Sequence, residues 1–234
     1  EKRGLNFVEA LRFLGSRYGV EVVDEGEGSA EEVARRRGQK ELRAKLISCL
    51  QLVVKSYASF LQSDRRAEVA REYLAKRGIG AEAIGKFHIG YAPDQWTFLE
   101  NAVLAQLDRS GAAERGEVVA TSNFSKEEVS TLLKKIGLIG ESKEGRRFDI
   151  FRGRVIFPIK RSDGLPIALG GRLLAADAVG PKYLNSRESE VYAKRRTFYG
   201  MDLALKGISR EQCMYIVEGY LDVISLVQAG VSNV

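Results

Sequence analysis

Histidine occurs once in this 234-residue chain and cysteine twice, which removes most metal-ligand and thiol chemistry from consideration. His88, within Lys86-Phe-His-Ile-Gly90, has no second imidazole to share a metal with. Cys49 and Cys213 lie far apart without metal-ligand spacing. Both read as small buried hydrophobes in a reducing compartment, and no disulfide between them is indicated. No apolar run approaches the roughly 20 residues that span a bilayer, so no membrane partner is expected. The opening Glu1-Lys-Arg-Gly4 leads directly into an amphipathic pattern, not a signal peptide. Internal repeats and low-complexity tracts are missing too. Gly170-Gly171 lacks the G-x-G-x-x-G spacing of a dinucleotide fingerprint and instead fits a close backbone approach to a ligand or strand.

What is present is a soluble-domain composition, 44% hydrophobic and 29% charged, with a net charge of +6. The charge is unevenly spread. Residues 146–196 hold 12 basic side chains against 5 acidic ones, a balance of +7, which leaves −1 for the rest. Concentrated positive charge of this kind is the footprint of a polyanion-binding surface.

Hydrophobic spacing divides the chain. Asn6–Tyr18 puts Phe7, Ala10, Leu11 and Leu14 on one helical face. Asp24–Gln39 is charged, without apolar period, and reads as a linker. A long helix is predicted over Lys40–Gln62, and a second over Arg65–Arg77, capped by Asp64 and stopped by Gly78. A short one follows at Ala81–Phe87. Thr97 with Glu100, and Ser125 with Glu128, have capping-box spacing. At Phe148 the period shortens. Arg154–Lys160 and Leu165–Arg172 read as strands joined by Arg161-Ser-Asp-Gly164, a hairpin signal. A basic segment, Lys194-Arg-Arg196, precedes a short helix near Asp202–Lys206.

The last 21 residues, Met214–Val234, carry the sharpest signal. Tyr215–Val217 reads as a buried strand with Glu218 at its end, Gly219 as a turn, and Leu221–Gln228 as a helix. Carboxylates beyond the ends of strands stand where open α/β sheets do chemistry. Glu218 and, four residues on, Asp222 are suited to a hard divalent cation. For Asp222 the alternative is a first-turn acid favoured by the helix N-terminus.

Val217-Glu-Gly-Tyr-Leu-Asp-Val-Ile224 resembles the opening motif of a Toprim domain as found in bacterial DnaG-type DNA primases. Further segments resemble that family in order: Leu5–Leu14, Tyr73–Gly78, Gly90–Pro93, Phe151–Pro158, Gly170–Arg172, Pro181–Ser186 and Tyr199-Gly200. The likeness spans nearly the whole chain and weakens around Ala112–Ser125. It implies an α+β fold: a helical N-terminal region, a mixed β-sheet subdomain, and a truncated α/β Toprim unit. The implied division is 1–26 as the tail of a zinc-binding domain and 27–39 as a linker. Residues 40–208 would form the N-terminal subdomain of a catalytic core, and 209–234 the start of a Toprim domain.

The resemblance makes Glu218 the essential acid and Asp222 a second, less certain metal residue, with Mg²⁺ or Mn²⁺ as cofactor. A Toprim site also needs an Asp-x-Asp pair, and none occurs in this sequence. Zinc would be held only by a segment ahead of Glu1. Arg152 and Arg154, alternating about Gly153, are expected to project to one face and grip phosphate. Arg172, Lys182, Tyr183 and Asn185 match positions implicated in holding nucleotide or template, Tyr183 by stacking. Lys194 and Arg196 match a basic motif only in part, because Ala193 and Arg195 stand where the family has histidine and glycine. The implied function is template-directed synthesis of short RNA primers on single-stranded DNA. Ribonucleoside triphosphates would be substrates, and a replicative helicase would be a partner through a domain outside this chain, in a bacterial cytoplasm. The alternatives are a Toprim nuclease or topoisomerase, and a non-catalytic nucleic-acid-binding module.

Overall fold

The computed structural model describes residues 29–113, 124–175 and 180–234, without the side chains of 110–113. The helix expected over Asn6–Tyr18 lies outside these residues. Two compact units divide the chain at 42/43. Helix α1, Ala30–Ser63, begins ten residues before the expected Lys40, so most of the stretch read as a linker is helical. A capping box explains the start. Glu32 N–H donates to Ser29 Oγ at 3.3 Å, and Ser29 N–H donates to the Glu32 carboxylate at 3.1 Å. Ala, Glu, Arg and Gln then carry the helix by propensity. The missing apolar stripe meant exposure on every side rather than coil.

In the second unit α1 turns amphipathic. Leu46, Cys49, Leu50, Val53, Tyr57 and Leu61 are all at most 1% exposed. One 18-residue window of α1 has a mean hydropathy of 1.2, apolar enough by composition to cross a bilayer. Yet 56% of that window is buried inside the protein, where its apolar side chains meet a core. Burial also pushes the Cys49 thiol up to about 12, which keeps it unreactive.

Asp64 accepts from Arg66 N–H at 2.9 Å and starts a 3-10 turn, Arg65–Ala67, that continues as α2, Glu68–Lys76. Gly78, at φ +72°, ends it in a conformation that a side chain would strain. Next come α3 (Ala81–Phe87), β1 (Gly90–Ala92), α4 (Leu99–Ala113) and α5 (Lys126–Ile136). Ser125 caps α5 as expected, accepting from Glu128 N–H at 3.1 Å. The box at Thr97 and Glu100 does not form. Asp149 supplies the cap, accepting from Phe98 N–H at 2.9 Å and Leu99 N–H at 2.8 Å. Glu100 turns instead toward Arg147, 3.6 Å away.

Strands β2 (Ile139–Glu141) and β3 (Arg147–Asp149) form a small antiparallel pair. The principal sheet is antiparallel with order β1-β4-β5-β6, where β4 is Arg154–Lys160, β5 Pro166–Leu173 and β6 Tyr183–Asn185. The Asp163-Gly164 hairpin joins β4 to β5 as the sequence predicts, with Gly164 at φ +85°. Phe60 and Leu74 pack with Phe87, Phe157 and Ile224 in one core, which ties the first helices, the sheet and the C-terminal helix together.

Helices α6 (Met201–Glu211) and α7 (Tyr220–Gln228) close the chain, and the division drawn at 208/209 falls inside α6. The expected buried strand at Tyr215–Val217 is absent. The segment has no strand assignment, with Tyr215 59% and Ile216 68% exposed. A strand needs a ladder of backbone bonds, and here a single one links Tyr215 N–H to Asn233 O at 2.9 Å. Cys213, expected to be buried, is exposed for the same reason. The helix that follows is anchored all the same. Ile224 is fully buried, and the Gln228 side chain bonds Gly80 N–H at 2.9 Å and Gly78 O at 2.8 Å.

Candidate nucleic-acid interface

Arg152 and Arg154 do not alternate along one strand. Gly153, at φ +58°, turns the backbone between them, and β4 starts only at Arg154. Arg152 stacks its guanidinium 4.0 Å from the centroid of Trp96 and also donates to Asp149 O. Arg154 is 5% exposed and donates to Gly171 O at 3.2 Å and Pro181 O at 2.9 Å. Burial, and then the charge of Arg152, lower its pKa. Both arginines still line one cleft, with Tyr91, Asp94 and Leu173–Leu174. The expectation that the two alternate along the start of one strand is therefore corrected. Arg152 borders the cleft from a stacked position, while Arg154 works mainly as a structural bracket.

Arg172 and Tyr183 are paired across β5 and β6. The Arg172 guanidinium lies 5.0 Å from the Tyr183 ring and 5.7 Å from the Tyr73 ring. Its Nε and Nη1 are buried without a hydrogen-bond partner. Such donors cost about 1–3 kcal/mol each when left unpaired, so they suit an incoming anionic acceptor. Tyr183 is 46% exposed rather than tucked into the core, and Lys182 beside it is exposed. Asn185 is partly committed: its Oδ1 accepts from the Tyr220 hydroxyl at 2.6 Å. The close approach foreseen at Gly170 is made by that same tyrosine, since a Cβ there would meet its ring at 2.6 Å. Tyr220 thus ties the start of α7 to the sheet.

Lys194–Arg196 form an exposed 3-10 turn. The next residues, Thr197 and Phe198, line a second cleft together with Tyr215, Ile216 and Glu218. The residues that follow the basic turn therefore share one opening with the acidic loop. Several other cations of the 146–196 window face inward or are paired: Lys160 lies 3.7 Å from Asp202, Arg147 near Glu100, and Arg161 on Asp163. The surface patch is smaller than the raw charge balance implies.

Glu218 is exposed, and no hydrogen bond or ion pair among the described residues engages it. Asp222 uses Oδ2 to accept from Gly219 N–H at 3.0 Å, capping α7. The first-turn role is thus fulfilled, with Oδ1 still open. As hard oxygen donors the two carboxylates suit a divalent cation in kind. They are too few to enclose one, and no group of three or more His, Cys, Asp or Glu forms a metal cluster among the described residues.

Sequence reasoning missed Trp96. It is 64% exposed, carries Arg152 on its face, and meets Phe148 edge-on at 6.1 Å. The available signal was a lone tryptophan in the polar turn after Pro93-Asp94. Exposed aromatic faces flanked by arginine are what single-stranded nucleic acid stacks upon.

Residues 56–126 and 108–205 match the family described as DNA primase catalytic core, N-terminal domain. The chain belongs to this family. Among curated relatives it is 35% identical to a DNA primase of Halalkalibacterium halodurans over 98% of the chain and 34% of the relative. It is 33% identical to one of Myxococcus xanthus over 98% of the chain and 33% of the relative. The chain therefore spans about a third of the length of the primases it matches. Among solved structures, the RNA polymerase domain of Mycobacterium tuberculosis primase DnaG superposes with a TM-score of 0.66 at 33% identity, over 82% of this chain and 55% of that one. A DnaG primase catalytic domain bound to single-stranded DNA gives 0.63 at 32% identity, over 84% and 55%. The zinc-binding and RNA polymerase domains of Aquifex aeolicus primase give 0.64 at 27% identity, over 99% and 48%. The primase family and the α+β fold read from the sequence are thereby established.

Proposed function

We propose that this chain forms the template-gripping part of a bacterial primase, an enzyme that makes short RNA primers on single-stranded DNA. The observation that carries the reading is the Arg172 guanidinium between two tyrosine rings, its Nε and Nη1 without a protein partner, with Arg152 on exposed Trp96 on the same subdomain. Arginine supplies the phosphate contact by its planar fork, and Trp96 and Tyr183 supply faces for bases. Lys182, Lys194 and Arg196 add charge without geometric demand, and the free Asn185 amide offers a donor. The relative bound to single-stranded DNA supports this assignment.

Glu218 is the acid we assign to the reaction, with Asp222 placed to assist it through its open oxygen. Mg²⁺ or Mn²⁺ held there would stabilise charge on a transferring phosphoryl group, with further ligands needed beyond these two. Ribonucleoside triphosphates would enter at the cleft that Glu218 shares with the residues following the basic turn. Residues 1–26 are assigned to the tail of a zinc-binding domain and 209–234 to the opening of a Toprim domain. A replicative helicase partner, contacted outside this chain, and a cytoplasmic setting complete the proposal. The deciding experiment measures binding of a fluorescent single-stranded oligonucleotide to the chain and to its Arg172→Ala and Trp96→Ala variants. Each variant should bind about fivefold or more weakly. Unchanged binding in both would remove the template-gripping assignment.

A further inference from the structure

Asp149 is a carboxylate only 3% exposed, and it sits between the parts of the Trp96 platform. Its Oδ2 accepts from Phe98 and Leu99 N–H, fixing the residues just after Trp96. Its own N–H donates to Trp96 O at 2.7 Å. Its carbonyl oxygen accepts from Arg152 Nη1. One residue therefore holds the tryptophan's own carbonyl, the residues just after it and its stacked arginine as well. The contacts span about 50 residues of sequence, and the local capping box at Thr97 that would make them unnecessary does not form.

From these contacts we infer that Asp149 is a positioning residue for template binding: its carboxylate sets the Trp96–Arg152 stack against which a base of the single strand packs. The inference rests on the template-gripping role proposed above and adds the device that controls it. Held by three backbone contacts, the turn carrying Trp96 is fixed before DNA arrives, and less ordering remains to be done on binding. The carboxylate faces Arg152, whose charge favours its ionised form, and Glu100, whose charge opposes it; Arg147 lies behind Glu100 and the buried Tyr57 hydroxyl is a further neighbour. Burial dominates and pushes the Asp149 pKa up to about 6. Since this pKa is raised, the acid takes up its proton as pH falls through about 6, where ordinary carboxylates remain ionised. The protonated form is a weaker acceptor for the two amides and no longer attracts Arg152.

Trp96 is the only tryptophan, so intrinsic fluorescence reports on the platform alone. In the 234-residue chain, Trp96 emission should titrate with a midpoint near pH 6, and Asp149→Asn should abolish that step while His88 is retained. Asp149→Ala, measured below its own unfolding temperature, should weaken oligonucleotide binding by about fivefold or more and shift Trp96 emission toward that of free indole in water. Asparagine can still accept from the amides, so Asp149→Asn should recover binding to within about twofold at pH 8. A residue that only stabilised the fold would lower the melting temperature of the alanine variant and leave binding by the folded protein unchanged. That result, or the same fluorescence step in Asp149→Asn and wild type, overturns the inference. If Asp149→Ala does not fold, the fluorescence titration of wild type against Asp149→Asn decides alone. If Trp96→Ala and Arg172→Ala bind like wild type, the template-gripping role itself has failed. If they lose binding and Asp149→Ala keeps it, only the positioning role has.

Discussion

The arginine-lined cleft and the acidic loop of this chain are built to different standards. At the cleft, Arg154 is bracketed by two carbonyls, Arg152 is stacked on Trp96, and Asp149 holds the turn that carries Trp96. At the loop, Glu218 is exposed on an unpaired segment with Tyr215 and Ile216, and only Asp222 is engaged, in capping α7. On the proposed reading, cations that hold a long flexible ligand are pre-organised by tertiary contacts, whereas a carboxylate that is to hold a metal needs its oxygens free, as those of Glu218 are among the described residues.

The contrast is broken most severely at Glu218. In a primase carrying this chain, Glu218→Gln should lower primer synthesis by about 100-fold or more, because a neutral amide is a poor ligand for a hard cation and a poor base. Oligonucleotide binding and thermal stability should stay near wild type, since the side chain is exposed and touches no partner. Primer yield within a few-fold of wild type would show that the acidic side of the comparison was assigned to the wrong residue.

Arg154→Ala should do the opposite. One buried and one part-buried carbonyl would lose their donor, and the packing of the stem would go with it, at about 2–4 kcal/mol of stability. Urea denaturation measures this directly. Arg152→Ala is the reference, with a loss below about 1 kcal/mol because its charge is half-exposed and screened.

Tyr220→Phe removes the hydroxyl that bonds Asn185 and ties the loop region to the sheet. The expected cost is about 1 kcal/mol, read as a lower melting temperature. A gain in oligonucleotide affinity alongside it would mean that the released Asn185 carbonyl also serves the template.

The smallest effect lies in the salt dependence of DNA binding. If only Arg152 of the pair touches phosphate, replacing it should reduce the slope of log affinity against log salt by about 0.7, the value for one contact on a single strand. Folded Arg154→Gln should leave the slope unchanged. A slope change of roughly 1.4 in the Arg152→Ala, Arg154→Gln double variant would show that both arginines reach the strand.

Much of this molecule is local and was readable in order along the chain. Asp64, Gly78, Ser125 and the Asp163-Gly164 turn act through their own backbone and nearest neighbours, so helix limits and the hairpin follow from residue type. The Glu-Gly-Tyr-Leu-Asp motif marked the acidic loop through its resemblance to a family motif. The linker reading failed because helical propensity and the Ser29–Glu32 box outweigh the absence of an apolar face. Tertiary structure decided the rest. Whether Tyr215–Val217 becomes a strand depends on a neighbour to pair with, which no property of those three residues can supply. Which arginines face solvent was likewise hidden, because Gly153 turns the chain between two of them and carbonyls from β5 and the segment before β6 capture one. The cap on α4 comes from Asp149, about 50 residues away. The caps at Asp64 and Ser125 and the β4–β5 hairpin are short-range, and residue type decides them. Burial and the pairing of charges depend on what the fold brings alongside, and only the folded chain can choose that.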